Sequence, residues 1–442
     1  AFVDWLETPG RPWEPEVGRY WYALWGARPD LRAAFPDVAG ADLLRFREWA
    51  DRRSLHEGTS PYLRGVAPRF AAPWPSDGRR AGGVDVLGYF GAEVSLANVA
   101  DRMLASLDAV GIPHRTLDLR RTGSPRRERP VDDVLGYDTA IVVANHDQVA
   151  PLLARHGEVL AGRRLIGFWH WDVEHVPERV ASEMRHFDQL WVLNEYTERT
   201  LSAVPGAPPV RSLPLPVPEP TVSGATRADL GLPTDRQVVL VTFDHLGVTE
   251  RKNPLGAIEA FRRAFPTPSP TGPLLVVKTM NAEQRLVEHE RIRFAARGRD
   301  DIVVVDRLLP KADQMALVAH ADVLLSLHRA EGLGLHLVEA MWLGTPTIAT
   351  RYSGNLSFMD DENSMLVDAR LVPVERGEGF FPPEARWAEP DVDQAAEHLR
   401  RVLAEPDLAQ RLRVAGRRRM EQQPTFEEMG RTIAAWCGIE DR

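Results

Sequence analysis

The sequence of 442 residues contains a single cysteine, Cys437. One thiol excludes an internal disulfide framework and a cysteine-rich metal site, and it is typical of a reducing compartment. Long apolar runs are also missing, since none reaches the roughly 20 residues that a membrane-spanning helix needs. We therefore expect a cytoplasmic protein without a transmembrane segment, and a peripheral position at the inner membrane surface stays open.

An excess of basic residues is missing as well. The chain has 54 Lys and Arg against 63 Asp and Glu, a formal net charge of −9. This sign opposes binding to a phosphate backbone, so we expect no nucleic-acid partner. The basic loop at residues 120–129 is a local exception, for which we favour simple hydration over contact with an anionic lipid or acceptor.

Tryptophan is concentrated near the N-terminus, where residues 1–80 hold half of the 12 Trp residues. The spacing of large apolar side chains at 19–25 and 43–49 predicts short helices interrupted by proline. Aromatic stripes of this kind mostly pack against a neighbouring domain. We interpret residues 1–80 as a helical extension for docking, with acceptor recognition and homo-oligomer formation as the open alternatives.

The remainder of the chain predicts an α/β protein. Short β-branched runs alternate with amphipathic stretches in two series, one from 84–87 to 210–213 and one from 238–241 to 365–367. This alternation is typical of parallel sheets with helices on both faces. Four prolines at residues 213–220 indicate a stiff connector between the series. We therefore expect two Rossmann-like, doubly wound domains at 81–217 and 218–425, followed by a helical segment at 426–442.

The most informative stretch is residues 326–350, which leaves a strand, turns through glycines and enters a helix. Glu331 lies in the loop and Glu339 lies on the helix that follows. Gly332 and Gly334 allow close backbone approach, and the N–H groups at a helix start attract an anion. A diphosphate fits this pattern, with a carboxylate on each side to accept hydrogen bonds from hydroxyl groups.

The full stretch resembles the Glu-seven-residues-Glu signature of the retaining glycosyltransferases of family 4, and the resemblance continues through 352–359, 365–367 and 387–391. It implies the GT-B fold, in which two Rossmann-like domains face a cleft and the closing helix returns to the first domain. It further implies an enzyme that moves a sugar from a nucleotide-diphosphate sugar to a hydroxyl of a glycan, lipid-linked or small-molecule acceptor. Glu331 would contact the donor sugar, and Glu339 the ribose.

The resemblance also implies basic side chains on the donor diphosphate. Lys252 matches the phosphate-binding lysine of the family, but Asp244 and His245 stand where the family usually has an arginine. The second phosphate ligand is therefore open. The candidates for this second position are Arg251, Lys278 and Arg329.

Further donor contacts follow from the same resemblance. The glycine loop would lie against the donor through Gly332, Leu333 and Gly334, and Leu309 lies in the region where relatives hold the base. Gly91 belongs to a turn after the first strand of the first domain. Relatives place a glycine-rich turn of this kind against the donor phosphates.

The segment 167–177 combines aromatic and acidic side chains at a strand end. Aromatic faces stack on sugars and carboxylates accept from their hydroxyl groups, so we predict an acceptor platform with catalytic roles for His170 and Asp172. Packing of the two tryptophans in the core is the alternative. His170 and His175 do not have a known zinc spacing, and we expect neither a metal nor a cofactor.

Other functions remain as alternatives. A nucleotide-sugar epimerase would share the GT-B architecture, and a catalytically silent binding subunit would share the fold. A dinucleotide-dependent oxidoreductase is disfavoured, because neither glycine cluster completes the Gly-x-Gly-x-x-Gly spacing.

Overall fold

The structure is a computed structural model, and it describes residues 19–38, 40–46, 49, 76–90, 95–119, 132, 134–374, 381 and 384–439. The chain divides into two compact units. Unit 1 comprises Ala1–Trp169, Ser182–Trp191 and Phe426–Arg442. Unit 2 comprises His170–Ala181 and Val192–Thr425.

The first sheet has six strands in the order β2-β1-β3-β4-β5-β6. Its strands are β1 (Ser76–Gly88), β2 (His114–Asp118), β3 (Leu135–Val143), β4 (Arg164–Trp169), β5 (Gln189–Val192) and β6 (Val210–Ser212). Strand β1 runs parallel to both β2 and β3, with Val86 opposite Thr116 on one side and Ile141 on the other.

The second sheet also has six strands, in the order β12-β11-β10-β7-β8-β9. Its strands are β7 (Val238–Thr242), β8 (Leu274–Thr279), β9 (Ile302–Asp306), β10 (Val323–Ser326), β11 (Thr347–Thr350) and β12 (Met365–Val367). All of its strand pairs are parallel. Strands β13 (Ala369–Pro373) and β14 (Arg386–Pro390) form a separate antiparallel pair.

Helices connect most of these strands. They are α1 (Arg19–Ala27), α2 (Pro29–Ala34), α3 (Ser95–Ala109), α4 (Val149–Leu160), α5 (Glu178–Met184), α6 (Glu195–Ser202), α7 (Thr249–Lys252), α8 (Pro254–Ala264), α9 (Leu286–Ala296), α10 (Lys311–His320), α11 (Leu335–Trp342), α12 (Val392–Ala404), α13 (Pro406–Met420) and α14 (Phe426–Cys437).

The second sheet is covered on both faces, and alternation along β7 shows why. Val239 and Val241 pack in one apolar cluster, with helices α8 and α12. Val238 and Leu240 pack in a second cluster, with α10 and α11. Successive side chains of a strand point to opposite faces, so the apolar run 238–241 of β7 requires helices on both sides.

The described part of the N-terminal extension has its own apolar cluster. Trp21 and Phe46 are buried in it, and the rings of Phe46 and Trp49 stack at a centroid distance of 5.5 Å. Helix α1 covers the first stretch for which the aromatic spacing predicts a helix, and residues 43–46 of the second stretch are helical as well. Helix α2 lies between the two stretches and was not predicted. Trp25 packs against the same cluster, and Trp5, Trp13 and Trp74 lie outside the described residues.

The predicted fold class is confirmed, because both series of apolar runs form strands of two separate sheets. The hairpin of β13 and β14 was not predicted, and it is too short and too exposed on β13 to leave a clear apolar alternation. No helix in the described ranges combines the length and hydropathy required to cross a bilayer.

Helix α14 lies in unit 1 and packs closely against α3. An added Cβ at Gly430 of α14 would lie 2.2 Å from the Ser106 backbone oxygen of α3, whereas one at Gly157 of α4 would meet no atom within 4 Å. The backbone oxygen cannot move aside as a side chain could. The helix packing therefore requires glycine at position 430.

We expect Gly430→Ala to destabilise the protein by about 1–3 kcal/mol through overpacking. Gly157→Ala, the matched control, should stabilise it by about 0.5–1 kcal/mol, because alanine loses less backbone entropy in a helix. Urea denaturation of both variants checks this pair. Equal shifts of the two midpoints would contradict the close packing of α14 on α3.

Candidate functional site

The site is built in unit 2, at one edge of the second sheet. Strands β11, β10 and β7 are neighbours and run parallel, so the loops after their carboxyl ends meet. The loop after β7 leads to Arg251 and Lys252, the loop after β10 holds Glu331, and the loop after β11 holds Ser353.

Glu331 is the centre of this site. Its carboxylate accepts a hydrogen bond from Lys252 Nζ, and Arg251 Nη1 lies 3.7 Å from the other carboxylate oxygen. Burial alone would raise the pKa of Glu331, but Lys252 and Arg251 lower it below its usual range. The carboxylate is therefore ionised at neutral pH, although the residue is only 7% exposed.

The backbone of Glu331 is fixed by the loop after β11. Glu331 N donates to Ser353 Oγ at 2.9 Å, and Ser353 Oγ donates to Glu331 O at 3.0 Å. Gly354 N donates to the same carbonyl at 2.9 Å. A Cβ at Gly354 would lie 2.0 Å from Gly332 O, so this close approach requires glycine.

The short helix α7 presents both cations. The backbone is left-handed on either side of it, at Val248 (φ 64°) and Asn253 (φ 52°). Positive φ is strained for a β-branched residue such as Val248, and strain of this kind persists where surrounding contacts enforce it. Asn253 fixes the other end of α7, because its side chain accepts from Gly256 N at 3.1 Å and donates to Leu327 O at 2.9 Å.

Asp172 also belongs to the site. It lies in the segment His170–Ala181, which follows β4 and is part of unit 2. Arg251 Nη1 donates to Asp172 Oδ2 at 2.8 Å. Burial raises the pKa of Asp172, and the charge of Arg251 opposes that shift. Burial and the charge of Arg251 lower the pKa of His170 to about 4, so this histidine is neutral at physiological pH.

Glu339 is also buried, on α11, and Lys311 Nζ donates to its Oε1 at 2.5 Å. Lys311 is the first residue of α10, where the helix dipole disfavours a cation. Sequence reasoning did not identify Lys311. The one local signal for Lys311 was its place at the start of a helix, where a cation is unfavourable unless it has a partner.

Lys278 and Arg329, the other candidate phosphate ligands, have different surroundings. Arg329 Nε donates to Glu389 at 2.8 Å, and its guanidinium lies 5.5 Å from the centroid of the Trp387 ring. Lys278 is only 2% exposed at the end of β8, where burial lowers its pKa. Within the described residues Lys278 makes no ion pair, whereas Arg251 and Lys252 both contact Glu331.

Of the remaining residues that the sequence predicts to contact the sugar donor, the structure describes all except Gly91. Gly334 has φ of 87° and caps the start of α11, and Gly332 O accepts from Asn194 Nδ2 at 2.5 Å. Leu333 and Leu309 pack against the apolar cluster on the α11 side of the sheet. Gly91 lies outside the described residues.

Among the described residues, no group of three or more His, Cys, Asp or Glu side chains is arranged to hold a metal ion.

Comparison with known proteins gives a family and a fold. The profile of "Family 4 Glycosyltransferase in conflict systems" matches residues 192–433. No curated protein matches the chain.

Solved structures match over most of the chain. Sucrose-phosphate synthase from Thermosynechococcus elongatus is 17% identical, with 80% of this chain and 98% of that chain covered and a TM-score of 0.58. HepE from Anabaena, in complex with UDP and glucose, is 13% identical, with coverages of 80% and 99% and a TM-score of 0.58. WaaG, a glycosyltransferase involved in lipopolysaccharide biosynthesis, is 16% identical, with coverages of 80% and 99% and a TM-score of 0.52. None of the structures named here is an epimerase.

We expect strong energetic coupling between Asp172 and Arg251. Removing either charge deprives the other, mostly buried side chain of this ion pair, so the double variant Asp172→Asn, Arg251→Met should be more stable than the sum of the single effects, by about 0.5–3 kcal/mol. A double-mutant cycle in urea denaturation measures this energy.

The matched control is the exposed pair of Arg263 and Asp393, which has the same 2.8 Å separation. Solvent screening should limit its coupling to below about 1 kcal/mol. Coupling energies that are equal for the two pairs would contradict a special role of the buried pair.

Proposed function

This chain belongs to the family 4 glycosyltransferases of conflict systems, and we propose that it transfers a sugar from a nucleotide-diphosphate sugar to an acceptor hydroxyl with retention of the anomeric configuration. One observation carries the proposal. The carboxylate of Glu331 is shared by two adjacent cations, Arg251 and Lys252, at the carboxyl edge of a parallel sheet.

The two cations suit a diphosphate leaving group. Both side chains are mostly buried, at 15% and 16% exposure, so their charges act through little water. Negative charge accumulates on the diphosphate as the glycosidic bond breaks, and cations placed beforehand stabilise it without reorganisation. Arg251 therefore takes the position of the second phosphate ligand that the sequence left open.

Glu331 suits the transferred sugar. An ionised carboxylate only accepts hydrogen bonds, and sugar hydroxyl groups donate them. When the diphosphate attracts Lys252 and Arg251, sugar hydroxyl groups replace them on Glu331. The exchange leaves neither the carboxylate nor the cations without partners.

Glu339 suits the ribose by the same chemistry. It lies on α11, beyond the loop that carries Glu331, and its partner Lys311 has a side chain that is 58% exposed. The lysine can therefore move aside at little cost when ribose hydroxyl groups donate to Glu339. The nucleotide would extend from Arg251 and Lys252 towards α10.

The reaction itself needs one bond broken and one formed. The bond between the anomeric carbon and the phosphate oxygen breaks, the acceptor oxygen bonds to the same face of that carbon, and the acceptor proton passes to the departing phosphate oxygen. Asp172 orients Arg251 for this step. The charges of Arg251 and Glu331 both affect the pKa of His170, so this neutral histidine lies near them. In that position it can accept a hydrogen bond from a hydroxyl group of the sugar or the acceptor.

UDP-sugars are the first donors to test, because one protein of similar fold has been solved with UDP. HepE was solved in complex with UDP and glucose. A thermal-shift comparison of UDP-, GDP- and dTDP-sugars then identifies the donor that binds, because a ligand that binds only the native state raises the melting temperature.

We expect Lys252→Ala to lower kcat/KM for the best nucleotide sugar by roughly 10²-fold, because it removes a donor that acts on the developing charge. Glu339→Ala should instead weaken binding of the free nucleoside diphosphate by roughly tenfold, since two hydroxyl contacts are lost. Steady-state kinetics and calorimetry measure the two effects. Arg263→Ala, on the exposed face of α8, is the control, and unchanged behaviour of both site variants would sink the assignment.

Retention predicts the stereochemistry of the first product. In proton NMR of the reaction, the newly formed linkage should show the same anomeric configuration as the donor. If the first-formed product has the opposite configuration, the same-face mechanism is wrong.

A further inference from the structure

Four side chains beside Glu331 form a continuous hydrogen-bonded network, in which Asn355, His328 and Ser326 are buried and His336 is half-buried. His328 Nε2 lies 3.2 Å from Asn355 Oδ1 and 3.3 Å from Tyr352 O. His328 Nδ1 lies 3.1 Å from Ser326 Oγ, and Ser326 Oγ lies 3.1 Å from His336 Nε2. No step of the proposed reaction uses this hydrogen-bonded network.

The acceptors at one end fix the direction of every bond. Asn355 Oδ1 and the Tyr352 carbonyl can only accept, so His328 Nε2 carries the proton. Asn355 Nδ2 is used elsewhere, because it donates to Thr350 O at 3.0 Å. Burial lowers the pKa of His328. The ring is therefore neutral, and its Nδ1 is an acceptor.

Ser326 passes this direction to the second histidine. Its single hydroxyl proton must be donated to His328 Nδ1, so its oxygen accepts from His336 Nε2. Burial lowers the pKa of His336 to about 3, and the charge of Lys252 acts in the same direction. The second ring is also neutral. The chain of bonds therefore leaves His336 Nδ1 as a bare acceptor.

The position of His336 limits what that acceptor can bind. It is the second residue of α11, one turn before Glu339, and its ring is only partly enclosed. Its nearest charges include Lys252 and Glu331. A phosphate oxygen is itself an acceptor and is excluded, so the partner must bring an O–H or N–H group.

We propose that His336 Nδ1 accepts a hydrogen bond from a hydroxyl group of the transferred sugar and so takes part in sugar selection. This inference rests on the proposed function, which places the sugar at Glu331. Ser326 and His328 act as positioning residues, because they hold the His336 ring in the tautomer that accepts at Nδ1. Sugars that lack the hydroxyl at this position should be poorer donors.

Two substitutions of His336 test the two ring nitrogens separately. His336→Asn places an amide oxygen near the position of Nδ1 and keeps the acceptor, whereas His336→Gln places an amide nitrogen near Nε2 and keeps only the bond to Ser326. We measure kcat and KM for the nucleotide sugar that gives the largest thermal shift with the wild type. Binding of the corresponding free nucleoside diphosphate is measured by calorimetry.

We expect kcat/KM of His336→Gln to be roughly tenfold below that of His336→Asn, the effect of one lost hydrogen bond. Both variants should bind the free nucleoside diphosphate as the wild type does, because the acceptor contacts only the sugar. Among fluorinated donor sugars, in which fluorine cannot donate, one position should remove the difference between the two variants.

Two results would overturn the inference while leaving the proposed function intact. One is equal kcat/KM for the Gln and Asn variants with an active wild type. The other is an equal loss of nucleoside diphosphate binding and of sugar transfer. A wild type that neither binds a nucleoside diphosphate nor turns over any nucleotide sugar would instead refute the proposed function and this inference together.

Discussion

A buried carboxylate shared by two cations is the interaction on which the rest of the site depends. Glu331 contacts Lys252 and Arg251, and Arg251 in turn contacts Asp172. Each of these charges would be costly at this depth without its neighbours. Their mutual contacts make the cluster stable before a ligand binds, and they leave each charge able to exchange its protein partner for a ligand group. A diphosphate and a sugar together satisfy that exchange, because the first needs cations and the second needs an acceptor.

The fold holds this cluster in place through backbone contacts. Adjacent parallel strands place three loops at one edge, and the loop after β11 is bonded directly to the Glu331 backbone through Ser353 and Gly354. The left-handed residues on either side of α7 fix the position of the two cations. Rigid attachment of this kind limits reorganisation during the reaction, which is the condition for strong electrostatic stabilisation.

Local patterns in the sequence predict the sheets and the main acidic residues, but they do not predict long-range partners. Apolar runs identify both six-stranded sheets, and the loop-to-helix pattern identifies Glu331 and Glu339. Arg329 looks like a phosphate ligand at a strand end, yet its partner Glu389 lies on β14, which no periodicity predicts. Asp172 and Arg251 are 79 residues apart, and their pairing depends on the path of the chain after β4. The tautomer of His336 depends on Ser326, His328 and Asn355 together, so only the folded structure reveals it.

The most direct test of the account is a crystal structure of the protein with an intact nucleotide sugar, chosen by thermal shift. The account predicts that the phosphate oxygens lie within about 3 Å of the Arg251 and Lys252 side-chain nitrogens, and that a sugar hydroxyl takes the place of Lys252 on Glu331. Electron density for the nucleotide sugar in which the diphosphate contacts neither cation would contradict it.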